Sequence, residues 1–522
     1  MEGETQVAPM RAPKSVMYGD QLPLGIEAKS QKRLFFPTTG DTYSPTSNTI
    51  CRIDINYDGL MDTAQSFLEF DLANKSGKRA SFDIGHPVIR KLTISSGGVV
   101  LEEIHDYNAL VGGVLFPAQA GVQNLHYEGM NNNGLDMTSA FTNIANTEAG
   151  VRSAAAALAT DGGISTAALA TFTGDGTDES ARVTAAKAQA TTTVRDAVAD
   201  SIVAGVNAGG GSVSQKGVHR YAPVATAGAG ATATSRNGVF DDNDVFKQQY
   251  KLVSGLLDND KYLPLVLMNA GITLEFELAP AIDCMVTATA TGADYEITNV
   301  RYVAHLIDLE RSFYDRLRMV QQNSGGVLQI AGQSYRGFRA TQSAATTQSL
   351  NCPARVRSIK SFFWKFARQG ADTTFNLSAG SHNSLTEYQL SIGATRYPPT
   401  PNKVNNATNK TAPYTELQKA FGKIASNIHP DQLNSINYLR SDGSAGDMGS
   451  SDIVPFAPFG IDLESFRHEI ENGVDTSSRA LPITLHLTAS GNPVAGAEDC
   501  QMWVLYDSLF YINMDGSVSV SN

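Results

Sequence analysis

Few stretches of this chain combine residues that could do chemistry. Asp54-Ile55-Asn56-Tyr57-Asp58-Gly59 begins as a calcium loop does, with oxygen-bearing side chains at positions one, three and five and glycine at six. The bidentate glutamate due at position twelve is replaced by Gln65, and the flanks are strand-like, so the segment is expected to be a hairpin turn on Asp58-Gly59. His468-Glu469-Ile470-Glu471-Asn472 lacks the second histidine of a paired-histidine zinc motif. Cys51, Cys284, Cys352 and Cys500 are spaced too widely for a zinc site or a disulfide scaffold and read as buried free thiols. The glycines at 209–211, Gly228 and Gly230 lack the order of a phosphate-cradling loop, and no Gly-x-Ser-x-Gly elbow occurs. His86, His105, His126 and His305 are scattered. No catalytic residue, metal ligand or cofactor-binding residue is nominated, no cofactor is expected, and the chain is not expected to be an enzyme.

One further stretch interleaves cations with rings: Arg355, Arg357, Lys360, Lys365 and Arg368 alternate with Phe362, Phe363, Trp364 and Phe366, without an acid. Nucleic-acid channels combine these residue types. A domain interface or an anionic partner surface would use them equally, with rings buried and the long stems lying along apolar surface. Both readings stay open for this strand.

The elements that would carry such residues are mostly strands. Runs rich in Ile, Val, Phe, Tyr and Thr alternate with Gly, Asn, Asp and Pro from Leu34 onward, as at 50–57, 66–72, 88–94 and 272–278. In the last, Ile272, Leu274, Phe276 and Leu278 alternate with Thr273, Glu275 and Glu277, the pattern of a half-buried strand. Leu306, Leu309, Phe313, Leu317 and Val320 instead recur at spacings of three and four, predicting an amphipathic helix of about four turns, either a connector packed across one end of both sheets or an ordinary surface helix within one domain. Leu263-Pro264-Leu265 and Leu481-Pro482-Ile483, each followed by an aromatic-rich strand run, suggest a repeat of two similar all-β units.

The rest is bounded by composition. The chain has 522 residues and a formal net charge of −12, with 18% charged and 42% hydrophobic residues. That length exceeds one ordinary domain, and the acidic balance excludes a polybasic protein that holds nucleic acid by counterion release. No apolar run is long enough to cross a bilayer as a helix, and the first residues have neither the basic nor the apolar region of a secretory signal. Residues 1–30, with Pro9, Pro13 and Pro23, are expected to form a flexible arm, and the Ala/Thr/Gly/Ser-rich residues 146–236 an exposed insertion.

Taken in order, several segments resemble double jelly-roll major capsid proteins of polinton-like viruses, virophages and related icosahedral double-stranded DNA viruses. They are Leu263-Pro264-Leu265 with Gly271 and Leu274-Glu275-Phe276-Glu277-Leu278; residues 88–94 leading through Gly97-Gly98 to Leu101-Glu102-Glu103-Ile104 and Asp106-Tyr107-Asn108; and 295–319, 388–401, 466–475 and 511–518 around Asp515-Gly516. The resemblance implies an all-β fold of two tandem eight-stranded jelly-roll sandwiches joined by a short helix, with a large Ala/Thr/Gly-rich insertion in the first. The implied layout is an arm at 1–30, a first jelly roll at 31–308 containing the insertion, a connecting helix at 309–324 and a second jelly roll at 325–522. It further implies a structural capsid protein forming homotrimeric, pseudo-hexagonal capsomers of an icosahedral shell, located in the virion and assembled inside the infected host cell. Its expected partners are its own copies, neighbouring capsomers, penton and minor capsid proteins, and a host surface met through 146–236, with no sequence-specific nucleic acid binding. The alternative is a minor attachment or spike protein of tandem β-sandwiches that binds a host receptor.

Overall fold

The computed structural model describes residues 28–119 except 78–79 and 83–84, 242–287 except 260, 294–368 except 344, then 380, 382, 384–423 except 406–407, 433, 438–439, 456–478 except 467–468, 481–490 and 498–522. The expected insertion at 146–236, most of the expected arm and His468 lie outside the described residues.

Eight principal strands frame the first unit: β1 (Ala28–Phe35), β2 (Ile50–Ile55), β3 (Leu60–Asn74), β4 (Ile89–Ser96), β5 (Val99–His105), β6 (Val245–Tyr250), β7 (Ile272–Leu278) and β8 (Tyr295–Leu309). Helix α1 (Arg311–Asn323) follows. The second unit comprises β9 (Val327–Thr341), β10 (Thr347–Cys352), β11 (Ile359–Arg368), β12 (Leu385–Ile392), β13 (Thr395–Lys403), helix α2 (Thr411–Ala420), β14 (Phe459–Asp462), β15 (Ile483–Ala489) and β16 (Glu498–Asn513). The first unit has sheet orders β1-β8-β3-β6 and β2-β7-β4-β5, and the second has β9-β16-β11-β14 and β10-β15-β12-β13. Adding eight to each label of the first unit gives the second. Each unit is therefore a jelly roll of two antiparallel sheets whose main paths have four strands, extended by the short strands Thr42–Tyr43 and Leu263–Pro264 in the first and Val518–Ser521 in the second, and the chain is all-β with two such rolls in tandem.

Local sequence explains much of this. β7 buries Ile272, Leu274, Phe276 and Leu278 and leaves the intervening residues half-covered, as alternation requires. β4 and β5 form a hairpin whose turn, Gly97-Gly98, has φ of 57° and 87°, the twist that a two-residue hairpin favours. In the second roll, Trp364 stacks on Phe459 at 5.2 Å between centroids and meets Tyr388 edge-on at 4.9 Å. Truncating a core ring of this size costs about 3–5 kcal/mol.

Several expectations need correction. Asp58-Gly59 does not close a hairpin, because β2 and β3 lie in opposite sheets and the segment crosses between them. Gly59 serves close approach instead: a Cβ there would stand 3.0 Å from both the Ile307 carbonyl and Asp308 Oδ1. Leu306 and Leu309 belong to β8, so the helix begins only at Arg311, and Gln321 is its one buried residue. Leu263–Pro264 pairs with β3 in the other sheet and is not the counterpart of residues 481–487; the repeat instead relates β7 to β15. Ala28, Lys29 and Ser30, within the expected arm, are part of β1.

Candidate assembly surfaces

The two rolls meet along a seam built largely from backbone. Trp503 Nε1 donates to the His105 carbonyl at 3.3 Å, and a Cβ on Gly337 would come within 2.4 Å of that same oxygen. Arg339 lies against Asp106 at 2.8 Å and Asp499 at 3.7 Å. After β5 the chain runs helically from Tyr107 to Gln119, with a π-helical turn at Val111–Leu115. Lys365 of β11, fully buried, occupies the space a side chain on Gly113 would need, its Nζ lying 2.6 Å from that hypothetical Cβ. Lys423 Nζ donates to the Ala118 carbonyl at 3.1 Å. A cavity of about 400 Å³ remains in the seam, bordered by Leu115, Asp258 and Asn259 on one side and by Gln333 and Tyr335 on the other.

One end of the molecule gathers the start of β1, the end of β8, α1, the start of β9 and the end of β16, since β1 with β8 and β9 with β16 are antiparallel neighbours. The connections that follow β6 and β14 lie at this same end. They occupy matching places in the two rolls but are held by different chemistry. In the first roll, buried Glu102 accepts from Gly255 N at 2.8 Å and Leu256 N at 3.0 Å, and also from Ser254 Oγ. So pinned, the loop turns onto the second roll: Asn259 Nδ2 donates to the Ala331 carbonyl at 2.6 Å, and Asn269 N donates to the Gly516 carbonyl at 3.0 Å. Both glycines are required by this approach, because a Cβ on Gly332 would stand 2.1 Å from Gly255 O and one on Gly255 would stand 2.9 Å from Gln333 O.

In the second roll the pin is ionic. Lys360 Nζ lies 2.8 Å from Glu464, 3.3 Å from Asp507 and 2.8 Å from the Glu469 carbonyl. Asp507 also accepts from Ser358 Oγ at 2.8 Å and Glu471 N at 2.9 Å, and Ser358 Oγ accepts from Gly473 N at 3.0 Å. This loop turns outward, with Phe466 71% and Ile470 58% exposed beside exposed Glu469 and Glu471. Large exposed apolar side chains bounded by charge mark a contact surface. At the same end, β1 is covered only at Phe35 and, in part, at Gln31; Lys29, Lys32, Arg33 and Leu34 are exposed.

The cation-and-ring strand does not form a nucleic-acid channel. Phe362, Phe363, Trp364 and Phe366 are core residues, Lys365 enters the seam, and Lys360 is enclosed by carboxylates. Burial on both faces of β11 explains its lack of alternation. Of the nominated cations, Arg357 is exposed. The Glu102 pin, the Gly255–Gly332 approach and the outward Phe466–Ile470 pair were not evident from sequence. Their only trace was the isolated glycines, whose packing partners lie in distant strands.

Burial, not activation, governs the titratable groups here. His86 is stacked between Tyr107 and Tyr250, with centroids 5.6 and 4.4 Å away, and burial pushes its pKa down to about 3. Tyr107 OH accepts from Val253 N at 2.8 Å and shares a hydrogen bond of 3.0 Å with His86 Nδ1. All four cysteines are free and buried, and burial pushes Cys51 and Cys352 up to about 12, the opposite of a reactive thiol. Among the described residues, no group of three or more His, Cys, Asp or Glu side chains could hold a metal ion, and no helix is long and apolar enough to cross a membrane.

No family model matches the sequence, and no curated protein matches it. Solved structures align with it over nearly the whole chain. The quasi-atomic PBCV-1 virus capsid aligns with a TM-score of 0.50 at 10% identity, covering 97% of this chain and 99% of that one. PBCV-1 VP54, as fitted into a reconstruction of the virophage Sputnik, gives 0.48 at 10% identity, with 97% and 99% covered. The Faustovirus major capsid protein gives 0.47 at 8% identity, with 95% and 92% covered. The fold is that of the double jelly-roll proteins, and the chain resembles double jelly-roll major capsid proteins in fold.

Proposed function

We propose that this chain is a structural major capsid protein whose copies pave an icosahedral shell around double-stranded DNA. The observation that carries the reading is the repeated topology: two rolls of identical strand order, fused across a buried seam, give one chain two near-equivalent corners. Three chains closed about a threefold axis then present six, a shape that tiles a surface. The fold shared with the PBCV-1 virus capsid supports the same role. Homotrimeric capsomers, lateral contacts with neighbouring capsomers, penton and minor capsid proteins, and a virion location after assembly inside the host cell belong to this reading. In it the chain is not an enzyme; the donors at the seam are spent on packing.

The layout we propose shortens the arm beneath the shell to residues 1–27, because β1 begins at Ala28, and sets the two rolls on either side of a connector at 310–324. Residues 146–236 would face outward and meet the host surface. The position of that segment in sequence, between β5 and β6, favours this, since that connection leaves the roll at the end opposite α1. The alternative role, a minor attachment protein, predicts a scarce chain in purified particles instead of the dominant one.

Native mass measurement of the recombinant chain, followed by electron microscopy of its assemblies, tests the proposal. A trimer that forms hexagonal arrays is expected. A chain that stays monomeric at all concentrations would sink it.

A further inference from the structure

Lys360 is the extra residue of a bulge in β11: Ile359 pairs with Tyr506 and Ser361 with Leu505, so Lys360 has no partner of its own in the ladder. Bulges re-aim side chains, and this one brings the Lys360 amine between two carboxylates. Nζ lies 2.8 Å from Glu464 Oε1 and 3.3 Å from Asp507 Oδ1. All three side chains are enclosed, Lys360 and Asp507 each 4% accessible and Glu464 17%. The other oxygen of Asp507, Oδ2, accepts from Ser358 Oγ and Glu471 N. Two fixed donors thus face the oxygen on which charge would build if Cγ were attacked. A permanent buried ion pair is better served by arginine, as at Glu69 with Arg301 and at Asp106 with Arg339. Lysine, unlike arginine, can pass a proton to a neighbouring carboxylate and then act as a nucleophile.

We propose that Lys360 and Asp507 condense in the folded chain to an amide that joins β11 covalently to β16, with Glu464 as proton acceptor. One Nζ proton crosses to Asp507 Oδ1, leaving an amine beside an uncharged carboxyl; burial favours this exchange because two enclosed charges disappear. The nitrogen lone pair attacks Cγ while Ser358 Oγ and Glu471 N hold Oδ2. Glu464 takes a second Nζ proton and returns it to Oδ1, the Cγ–Oδ1 bond breaks, and Oδ1 departs as water. An ammonium and a carboxylate become one amide and one water, Glu464 is restored, and nothing is oxidised or reduced. The N–H that remains is the donor left for the Glu469 carbonyl, which Nζ already reaches at 2.8 Å. The strand framework supplies the orientation, so no second protein is needed. The link is internal to one chain and stands apart from the capsomer reading.

Denaturing mass spectrometry of the full-length chain, purified in its folded state, tests this. The chain should be lighter than its sequence requires by one water, and proteolysis should recover the Lys360 and Asp507 peptides as one branched product. Lys360→Arg keeps the cation but cannot be acylated, and it should show the full mass, as should Asp507→Ala. Glu464→Gln leaves an oxygen on the amine but no proton acceptor. That variant should be isolated largely unlinked, since losing a positioned base slows such a step about a hundredfold or more. A parent chain at its full mass overturns the proposal. So does a water loss that maps to an aspartyl succinimide at an Asp-Gly pair such as Asp515-Gly516, with the Lys360 and Asp507 peptides recovered separately. Complete cross-linking in Glu464→Gln overturns the part assigned to Glu464.

Discussion

The loops after β6 and β14 hold the same place in two rolls of identical topology, yet one is anchored by a carboxylate facing neutral donors and the other by an ion cluster. Glu102 spends its charge on backbone N–H groups and a hydroxyl, which fixes a loop that is then buried against the second roll. Lys360 and Asp507 fix a loop whose outer surface stays open to solvent. Topology thus sets where a loop emerges, and the anchoring chemistry differs between the loop that folds inward and the one that stays open to solvent.

The sharpest way to break that comparison is at Lys360. Lys360→Met should cost about 3–5 kcal/mol, because Asp507 and Glu464 would remain in place without their cation. Hydrogen exchange at 469–478 should accelerate more than in the first roll; uniform exchange would mean the loop is not pinned there. Gly332→Val follows, at about 3 kcal/mol, since the new Cβ meets Gly255 O, which cannot yield as a flexible side chain could. Its readout is the seam: proteolysis should release the rolls from each other before either unfolds, and retained resistance would contradict the assignment.

Glu102→Gln should be milder, about 1–3 kcal/mol, because a neutral oxygen still accepts one or two of the three bonds while the new NH2 faces donors. Thermal scans should place this variant between the parent and Lys360→Met. His86 gives a pH test. Its folded pKa lies below the unfolded value of about 6.5, so the unfolded chain binds more protons between about 6.5 and about 3. Its contribution is complete above about pH 6.5 and is lost as pH falls towards about 3. His86→Phe should flatten that part of the stability profile, whereas an unchanged slope would place the acid sensitivity elsewhere. The smallest effect is expected at β1: Lys32→Glu should change the stability of the isolated chain by no more than about 0.5 kcal/mol, as its side chain is exposed.

Alternating strands were legible because one face of β7 is buried and the other is not, and that asymmetry is written in residue order. β11 was not, because both of its faces are covered and a cation-and-ring pattern has the same appearance in a channel, an interface or a core. The apolar spacing at 306–320 misled for a related reason. Leu306 and Leu309 belong to a strand whose end abuts the helix, and the two periods overlap across Glu310. Asp58-Gly59 carried good turn chemistry, but a turn signal does not say whether the strands beside it pair with each other or with distant ones.

Strand content, twofold repetition and the absence of any recognisable catalytic motif follow from the sequence alone, because they depend on local periodicity and residue type. Which loop faces inward, which glycines exist to admit another backbone, and which charges are enclosed were decided by the tertiary structure. Those properties depend on approaches between residues far apart in the chain, such as Gly255 with Gly332 or Lys360 with Asp507.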